Sequence, residues 1–337
     1  MRLTKTGLAD ASTRRDVAQR RRVGTTVTKR MKEKSRLTKE EWREYTKTVW
    51  HIANVTHPEH PAVFPPEIPK RLIKLFSFIG ETVLDPFAGV GSTADAAVAL
   101  DRRAICIDQN EGYVRHMRSK WETDLWKRTE VDIRCADCRN LNFLDDDSIG
   151  LVVTSPPYWN KAAYGGGLTN LGSIASYSAF LESLKPAFAE CYRVLIPGRK
   201  IAVVTANVNQ HTDYGLLTFP LAADFAALLR DIGFLMINEL IWSKDGTGGK
   251  WGSWGRQRPI FGSYPYPPNF LFKNIHEYIL IFAKPAERRT KGPKVVRLSD
   301  IMTNWNMRPT NGTQNGDSSG IPHPLGHKTN GTPKLKH

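Results

Sequence analysis

An α/β fold with a mostly parallel sheet covered by helices on both faces is predicted by three observations. Strand-length apolar runs alternate with segments of helical periodicity between residues 82 and 232, the pattern of repeated β–α units. A glycine-rich stretch, Asp85-Pro-Phe-Ala-Gly89-Val-Gly91-Ser-Thr93, stands between the first of these strands and its helix. The series then ends in two strands with no helix between them, which predicts an antiparallel hairpin at one sheet edge.

In chain order, residues 1–38 are polar and basic with few apolar positions, a composition that gives no packed core. Ordered sequence is expected to begin near Thr38, where Thr-Lys-Glu-Glu reads as a capping box leading to Trp42, Tyr45 and Trp50. Pro58, Pro61, Pro65, Pro66 and Pro69 make an extended approach to a helix whose apolar face is Ile68, Leu72, Ile73, Leu75 and Phe76. Strands are predicted at Thr82–Asp85, Arg103–Asp108, Val131–Cys135, Ile149–Thr154, 200–205, 235–242 and 276–282, seven in all. Helices are predicted at 92–100, 112–121, Tyr177–Val194 and 219–232.

Hydrophobic residues are 40% and charged residues 24% of the 337, which excludes wholesale disorder. No apolar stretch approaches the ~20 residues of a membrane span, and no secretory signal is visible. Four cysteines are too few for a disulfide framework, so a reducing, cytoplasmic setting is expected. The formal charge is +15, and its placement is uneven: residues 1–47 carry +9, residues 285–337 carry +6, and the middle is neutral. That divides the chain into a basic arm at 1–47, an enzyme-sized core at 48–284, and a basic Gly-, Asn- and Pro-rich tail at 285–337. Basic arms around a neutral core fit phosphate contacts. The long segment 243–273 adds glycines and aromatics (Trp251, Trp254, Tyr264, Tyr266) interleaved with Lys244, Lys250, Arg256 and Arg258. Such a mixture stacks on bases and pairs with phosphates, so these four cations are the expected nucleic-acid contacts.

Two stretches carry chemistry. In the first, glycines allow a sharp turn and close approach of a ligand to a helix N-terminus. Gly89-x-Gly91-x-x-Ala94 fits the dinucleotide fingerprint, and Asp108 ends the next strand, where a carboxylate takes ribose hydroxyls. Taken alone, this pattern fits a nicotinamide cofactor and S-adenosylmethionine equally. In the second, Thr154-Ser155-Pro156-Pro157-Tyr158-Trp159 follows strand Ile149–Thr154. Two prolines stiffen the backbone and remove two N–H donors, which leaves carbonyl groups as acceptors. A hydroxyl and a rigid carbonyl can accept both hydrogens of one exocyclic NH₂ while an aromatic ring stacks on the base. Open parallel sheets bind ligands beyond the carboxyl ends of their strands, where both stretches fall.

These residues resemble the amino-group DNA methyltransferases. Asp85-Pro-Phe-Ala-Gly-Val-Gly-Ser-Thr93 is similar to the family's cofactor motif, and Thr154-Ser-Pro-Pro-Tyr158 to its catalytic motif in the form more typical of cytosine-N4 enzymes. The segment from His60 to Ile73 resembles the one preceding the cofactor motif, and His276-Glu-Tyr-Ile-Leu-Ile-Phe-Ala-Lys284 the closing strand. The resemblance covers roughly residues 57–284. It implies a Rossmann-like methyltransferase fold, S-adenosyl-L-methionine as cofactor and double-stranded DNA as partner, with a cognate restriction endonuclease in the same system. It further implies that Asp85, Phe87, Gly89, Gly91, Thr93 and Thr154 surround the cofactor, with Asp108 on its ribose, Asp137 on its adenine, and Phe64 and Pro65 closing over it. Ser155, Pro156, Pro157 and Tyr158 would hold the target base. The expected product is N4-methylcytosine, with N6-methyladenine as the alternative, and an RNA guanine-N2 methyltransferase or an inactive DNA-binding homologue behind it. The cofactor motif precedes the catalytic motif, whereas a cofactor segment of this kind often follows it.

Cys135-Ala-Asp-Cys138 is a lone C-x-x-C pair without a second ligand pair, so neither zinc nor redox chemistry is assigned to it. Cytosine-C5 methylation is excluded. Its cysteine nucleophile follows a proline, and here Ile105, Arg134, Asp137 and Glu190 precede the four cysteines.

Overall fold

A computed structural model describes residues 27–55, 63–122, 130–160, 171–244, 266–268, 272 and 274–286. The strands are β1 (Val49–His51), β2 (Thr82–Asp85), β3 (Arg103–Asp108), β4 (Val131–Cys135), β5 (Ile149–Thr154), β6 (Leu195–Thr205), β7 (Val208–Thr212), β8 (Gly215–Phe219), β9 (Leu235–Ser243) and β10 (His276–Ala283). The helices are α1 (Lys29–Lys34), α2 (Lys39–Tyr45), α3 (Glu67–Phe76), α4 (Ser92–Ala99), α5 (Glu111–Glu122), α6 (Tyr177–Val194) and α7 (Leu221–Ile232).

Eight strands form one sheet in the order β1-β9-β10-β6-β5-β2-β3-β4. β2, β3, β4, β5 and β6 pair in parallel, and β10 runs antiparallel to both β6 and β9. β5 lies between β2 and β6 and is buried along its whole length, as its run Ile-Gly-Leu-Val-Val-Thr requires of a strand covered on both faces. One face is filled by α6 and α7 through Phe180, Leu184, Phe188, Phe225 and Leu229. The other is filled by α3, α4 and α5 through Ile68, Leu72, Ile73, Ala94, Ala97 and Met117. The alanine-rich α4 has no bulk of its own on that face.

The fold class is the one the alternation predicts, with two additions. The sheet has eight strands where seven were expected, because β1 pairs in parallel with β9. The β9–β10 hairpin therefore does not form the sheet edge; β1 covers it, and Trp242 Nε1 donates to the Ile52 carbonyl at 2.8 Å. The second addition is a separate two-stranded hairpin, β7–β8, between β6 and α7.

The capping box at Thr38 is formed: Glu41 N donates to Thr38 Oγ1 and Thr38 N to Glu41 Oε2, both at 3.1 Å. Order extends upstream of it into α1, which is joined to the core where Ile79 N donates to Ser35 Oγ at 2.9 Å. Lys74 of α3 pairs with Glu41 of α2. Residues 27–47 of the basic arm thus pack on the sheet-bearing body. His57 and His60, residues 1–26 and the tail from 287 lie outside the described residues.

Candidate active site

The two motif-bearing turns leave neighbouring strands at the same end of the sheet. β2 pairs with β5, with Leu84 opposite Val152, so Asp85 and Thr154 finish side by side. Thr154 Oγ1 donates to Asp85 Oδ1 at 2.7 Å, and Thr93 Oγ1, from the first turn of α4, donates to Asp85 Oδ2 at 2.6 Å. Phe87 N adds a third bond to Oδ1 at 3.1 Å. Asp85 is 1% exposed, and burial pushes its carboxyl up to about 6 against the opposing pull of these three donors. Thr93 and Thr154, expected at the cofactor, are fully buried and turn their hydroxyls onto Asp85, so they brace the two turns against each other.

The glycine turn itself is held by β3. Ala88 N donates to the Ile107 carbonyl at 2.9 Å, and Gly89 N donates to Asp108 Oδ2 at 2.8 Å. Gly91 caps α4 with φ 87°, a left-handed conformation that favours glycine, and a Cβ there would come within 3.1 Å of Met117 Cγ. Asp108 Oδ1 also accepts from Asn110 N at 2.8 Å. Burial raises the Asp108 carboxyl above its ordinary range, partly offset by these backbone donors. A carboxylate offers about four acceptor positions, so beside its backbone partners Gly89, Gln109 and Asn110, Asp108 keeps room for a further donor such as a ribose hydroxyl. Asp137, beyond the end of β4, is clamped by Arg139 through Nε (2.9 Å) and Nη2 (2.6 Å). Burial opposes its charge, yet the Arg139 guanidinium and backbone N–H hold the carboxyl below its usual range. Phe87 is half-buried on the turn, while Phe64 and Pro65 are buried, with Phe64 in the same apolar cluster as Ala88. The half-buried ring of Phe87 and the carboxylate at the end of β3, beside a glycine turn, suit a nucleoside-bearing cofactor.

Beyond β5, Ser155 and Pro157 are half-buried and Pro156 and Tyr158 buried. Tyr158 is anchored from the far strand: its hydroxyl donates to Glu277 Oε2 of β10 at 2.7 Å. Glu277 Oε1 in turn accepts from Lys244 Nζ at 2.5 Å, and that ammonium lies 4.5 Å from the Trp242 ring centroid. Lys244, expected on DNA phosphate, is therefore a buried partner of Glu277. Lys250, Arg256 and Arg258 lie outside the described residues. Trp159 Nε1 donates to the Ile174 carbonyl at 2.9 Å, and its ring packs against Tyr177 (5.0 Å) and Phe219 (4.6 Å). Tyr177 donates to Asp224 Oδ2 at 2.5 Å, and burial with that neighbouring carboxylate drives the phenol upward.

Glu277, Tyr177 and Phe219 are not marked as parts of the site by the sequence, and Lys244 is marked there in a different role. Only Glu277 carried a signal, as a carboxylate at the start of an otherwise apolar strand. Among the described residues no group of three or more His, Cys, Asp or Glu is placed to hold a metal ion.

The family model N6_N4_Mtase, described as DNA methylase, matches residues 13–119 and 149–329. The type II methyltransferase M.MjaI of Methanocaldococcus jannaschii is 49% identical over 76 residues, 21% of this chain and 25% of that protein. M.BglI of Bacillus subtilis is 39% identical over 93 residues, 27% of each. M.MthZI of Methanothermobacter thermautotrophicus is 27% identical over 164 residues, 45% of this chain and 44% of its own. The matched segments thus span between a quarter and under half of these relatives' lengths. Among solved structures, TTHA0409 of Thermus thermophilus, complexed with S-adenosyl-L-methionine, is 33% identical over 47% of this chain and 57% of that one, with a TM-score of 0.33. With most of its length matched by the family model, and with both motif turns meeting at one end of the sheet, the chain belongs to the N6_N4_Mtase family of DNA methylases, enzymes that use S-adenosylmethionine.

Proposed function

We propose that this chain transfers a methyl group from S-adenosylmethionine to N4 of cytosine at specific sites in double-stranded DNA. The observation that carries the reading is the juxtaposition of the Ser155-Pro156-Pro157-Tyr158 turn with the glycine turn, tied by the Thr154–Asp85 bond. The cofactor, when bound, supplies an electrophilic methyl on a sulfonium. Phe87, Gly89 and Gly91 would line its methionine part, Asp108 would accept its ribose hydroxyls, and Asp137 would meet its adenine edge.

An exocyclic amine conjugated to its ring is a poor nucleophile. Ser155 Oγ and the Pro156 carbonyl would accept its two hydrogens, localising the lone pair and aiming it at the methyl group. No covalent enzyme intermediate is needed: the new N–CH₃ bond would replace the methyl–sulfonium bond, and the amine would give up one proton to water. The base leaves the duplex to reach this turn, and the Tyr158 ring offers a stacking face that offsets part of the unstacking cost. The basic arms hold phosphates. The Ser-Pro-Pro-Tyr form favours cytosine, and adenine-N6 transfer by the same residues is the second reading. In a cell the enzyme would be cytoplasmic and would accompany a restriction endonuclease of the same specificity.

The test is methylation of defined duplexes by the purified chain, with nucleosides identified by mass spectrometry. N4-methylcytosine is expected. N6-methyladenine would replace the first reading by the second, and cofactor binding without any modified base would make the chain a DNA-binding homologue.

A further inference from the structure

We propose that the β7–β8 hairpin reads base edges in the major groove beside the target base; this rests on the DNA-methylating reading above. The hairpin leaves the carboxyl end of β6, directly beside β5 and the Ser155 turn. It is rigidly mounted there. At its base Val208 is buried opposite Phe219, whose ring packs on Trp159, the residue after Tyr158. Asn160 Nδ2 donates to Gln210 Oε1 at 3.3 Å, and Ala222 N to Asn207 Oδ1 at 3.2 Å. The ribbon is thereby tied to the turn after β5 through Asn160 and Trp159.

Alternation puts Val208, Gln210, Leu217 and Phe219 on one face, docked at the Val208–Phe219 end, and Asn209, His211, Leu216 and Thr218 on the other. Thr218 Oγ1 donates to Asn209 Oδ1 at 3.0 Å, which orients the amide. At the turn, Tyr214 is 86% exposed. In a chain of net charge +15, residues 207–219 contain no Lys or Arg and one carboxylate, Asp213. Phosphate-holding elements need cations, whereas base edges are read by amides, hydroxyls and imidazoles. A two-stranded ribbon is also of a width that the major groove admits. The ribbon thus has the composition for sequence readout and lacks the one for backbone grip.

The experiment uses the full chain. Sequencing that detects modified bases, on DNA from cells expressing it, first defines the methylated sequence. Cognate and singly substituted duplexes are then compared by single-turnover methylation and by equilibrium binding, for the wild type, Tyr214→Ala, and the triple variant Asn209→Ala, His211→Ala, Thr218→Ala. These side chains lie on the outer face and tip, so cofactor binding and melting temperature serve as controls for folding. The ratio of cognate to substituted duplex is expected to fall about tenfold or more at one or more base pairs, with the salt slope of binding unchanged. Unchanged ratios in both variants would overturn the proposal. So would a salt slope reduced by one unit or more, which marks a phosphate contact. Binding ratios decide the matter for a variant too slow to assay. Failure of the wild type to modify DNA at all would instead overturn the functional reading, and it is seen before any variant is made.

Discussion

The two turns at the carboxyl end of the sheet are built on opposite plans. The glycine turn after β2 is satisfied from within: its carboxylates, Asp85 and Asp108, are bonded by Phe87 N, Gly89 N, Asn110 N and the hydroxyls of Thr93 and Thr154. Except for the Thr154 tie, every one of these partners lies within 19 residues of the group it holds. The proline turn after β5 has few donors of its own and is held from outside. Glu277, 119 residues away, fixes Tyr158, and Phe219 packs on Trp159. The turn proposed for the cofactor is thus encoded locally, while the turn proposed for the target base depends on distant strands.

Four measurements test this division between the two turns. The largest effect is expected for Ser155→Ala, whose hydroxyl is proposed to touch only the target amine. The methyl-transfer step should slow about a hundredfold, with cofactor affinity and folding intact, as read by single-turnover rates and calorimetry. Full activity would remove Ser155 from the reaction.

Asp108→Ala should show the reverse pattern. Loss of charge-assisted bonds to the ribose should weaken cofactor binding by about 1.5–3 kcal/mol, while transfer at saturating cofactor changes less. A variant that binds cofactor normally would make Asp108 only a brace for Gly89.

Glu277→Gln tests the outside support. Single-turnover transfer should fall about tenfold with cofactor affinity unchanged, and the loss should vanish in a Tyr158→Phe background because the shared bond is already gone. Additive losses would mean that Glu277 acts through Lys244 or the strand alone.

The fourth measurement concerns the pH dependence of stability, not of activity. Asp85 binds its proton more tightly folded, with its carboxyl near 6 against 3.8 for the free group, so the stability it contributes below about pH 4 is lost as pH rises through 6. One group tilts stability by at most about 1.4 kcal/mol per pH unit. Asp85→Asn should remove that downward tilt, measured by urea unfolding between pH 4 and 7. An unchanged slope would assign the tilt elsewhere.

This contrast also explains what was legible in the sequence. β2 and β5, the glycine turn and the Thr38 cap are local patterns, and each stands where it was read. β1 is three residues long and exists only because β9 accepts it. β7, Val-Asn-Gln-His-Thr, has no apolar alternation to read, and of its residues Val208 alone is buried. Lys244 looked like a phosphate contact by composition, and only the pairing of His276 with Ser243 brings Glu277 to it. A pairing across more than thirty residues leaves no periodic trace at either end.

The seam between β1 and β9 has a consequence in time. Trp242 Nε1 bonds the carbonyl of Ile52, 190 residues earlier. At synthesis speeds of about 5–20 residues per second, roughly 10–40 s separate the emergence of these two partners. Throughout that interval Trp50, buried in the finished protein, has no strand to join. The upstream segment can pack on α3 in the meantime, but the seam closes only when a strand made 190 residues later arrives to meet it.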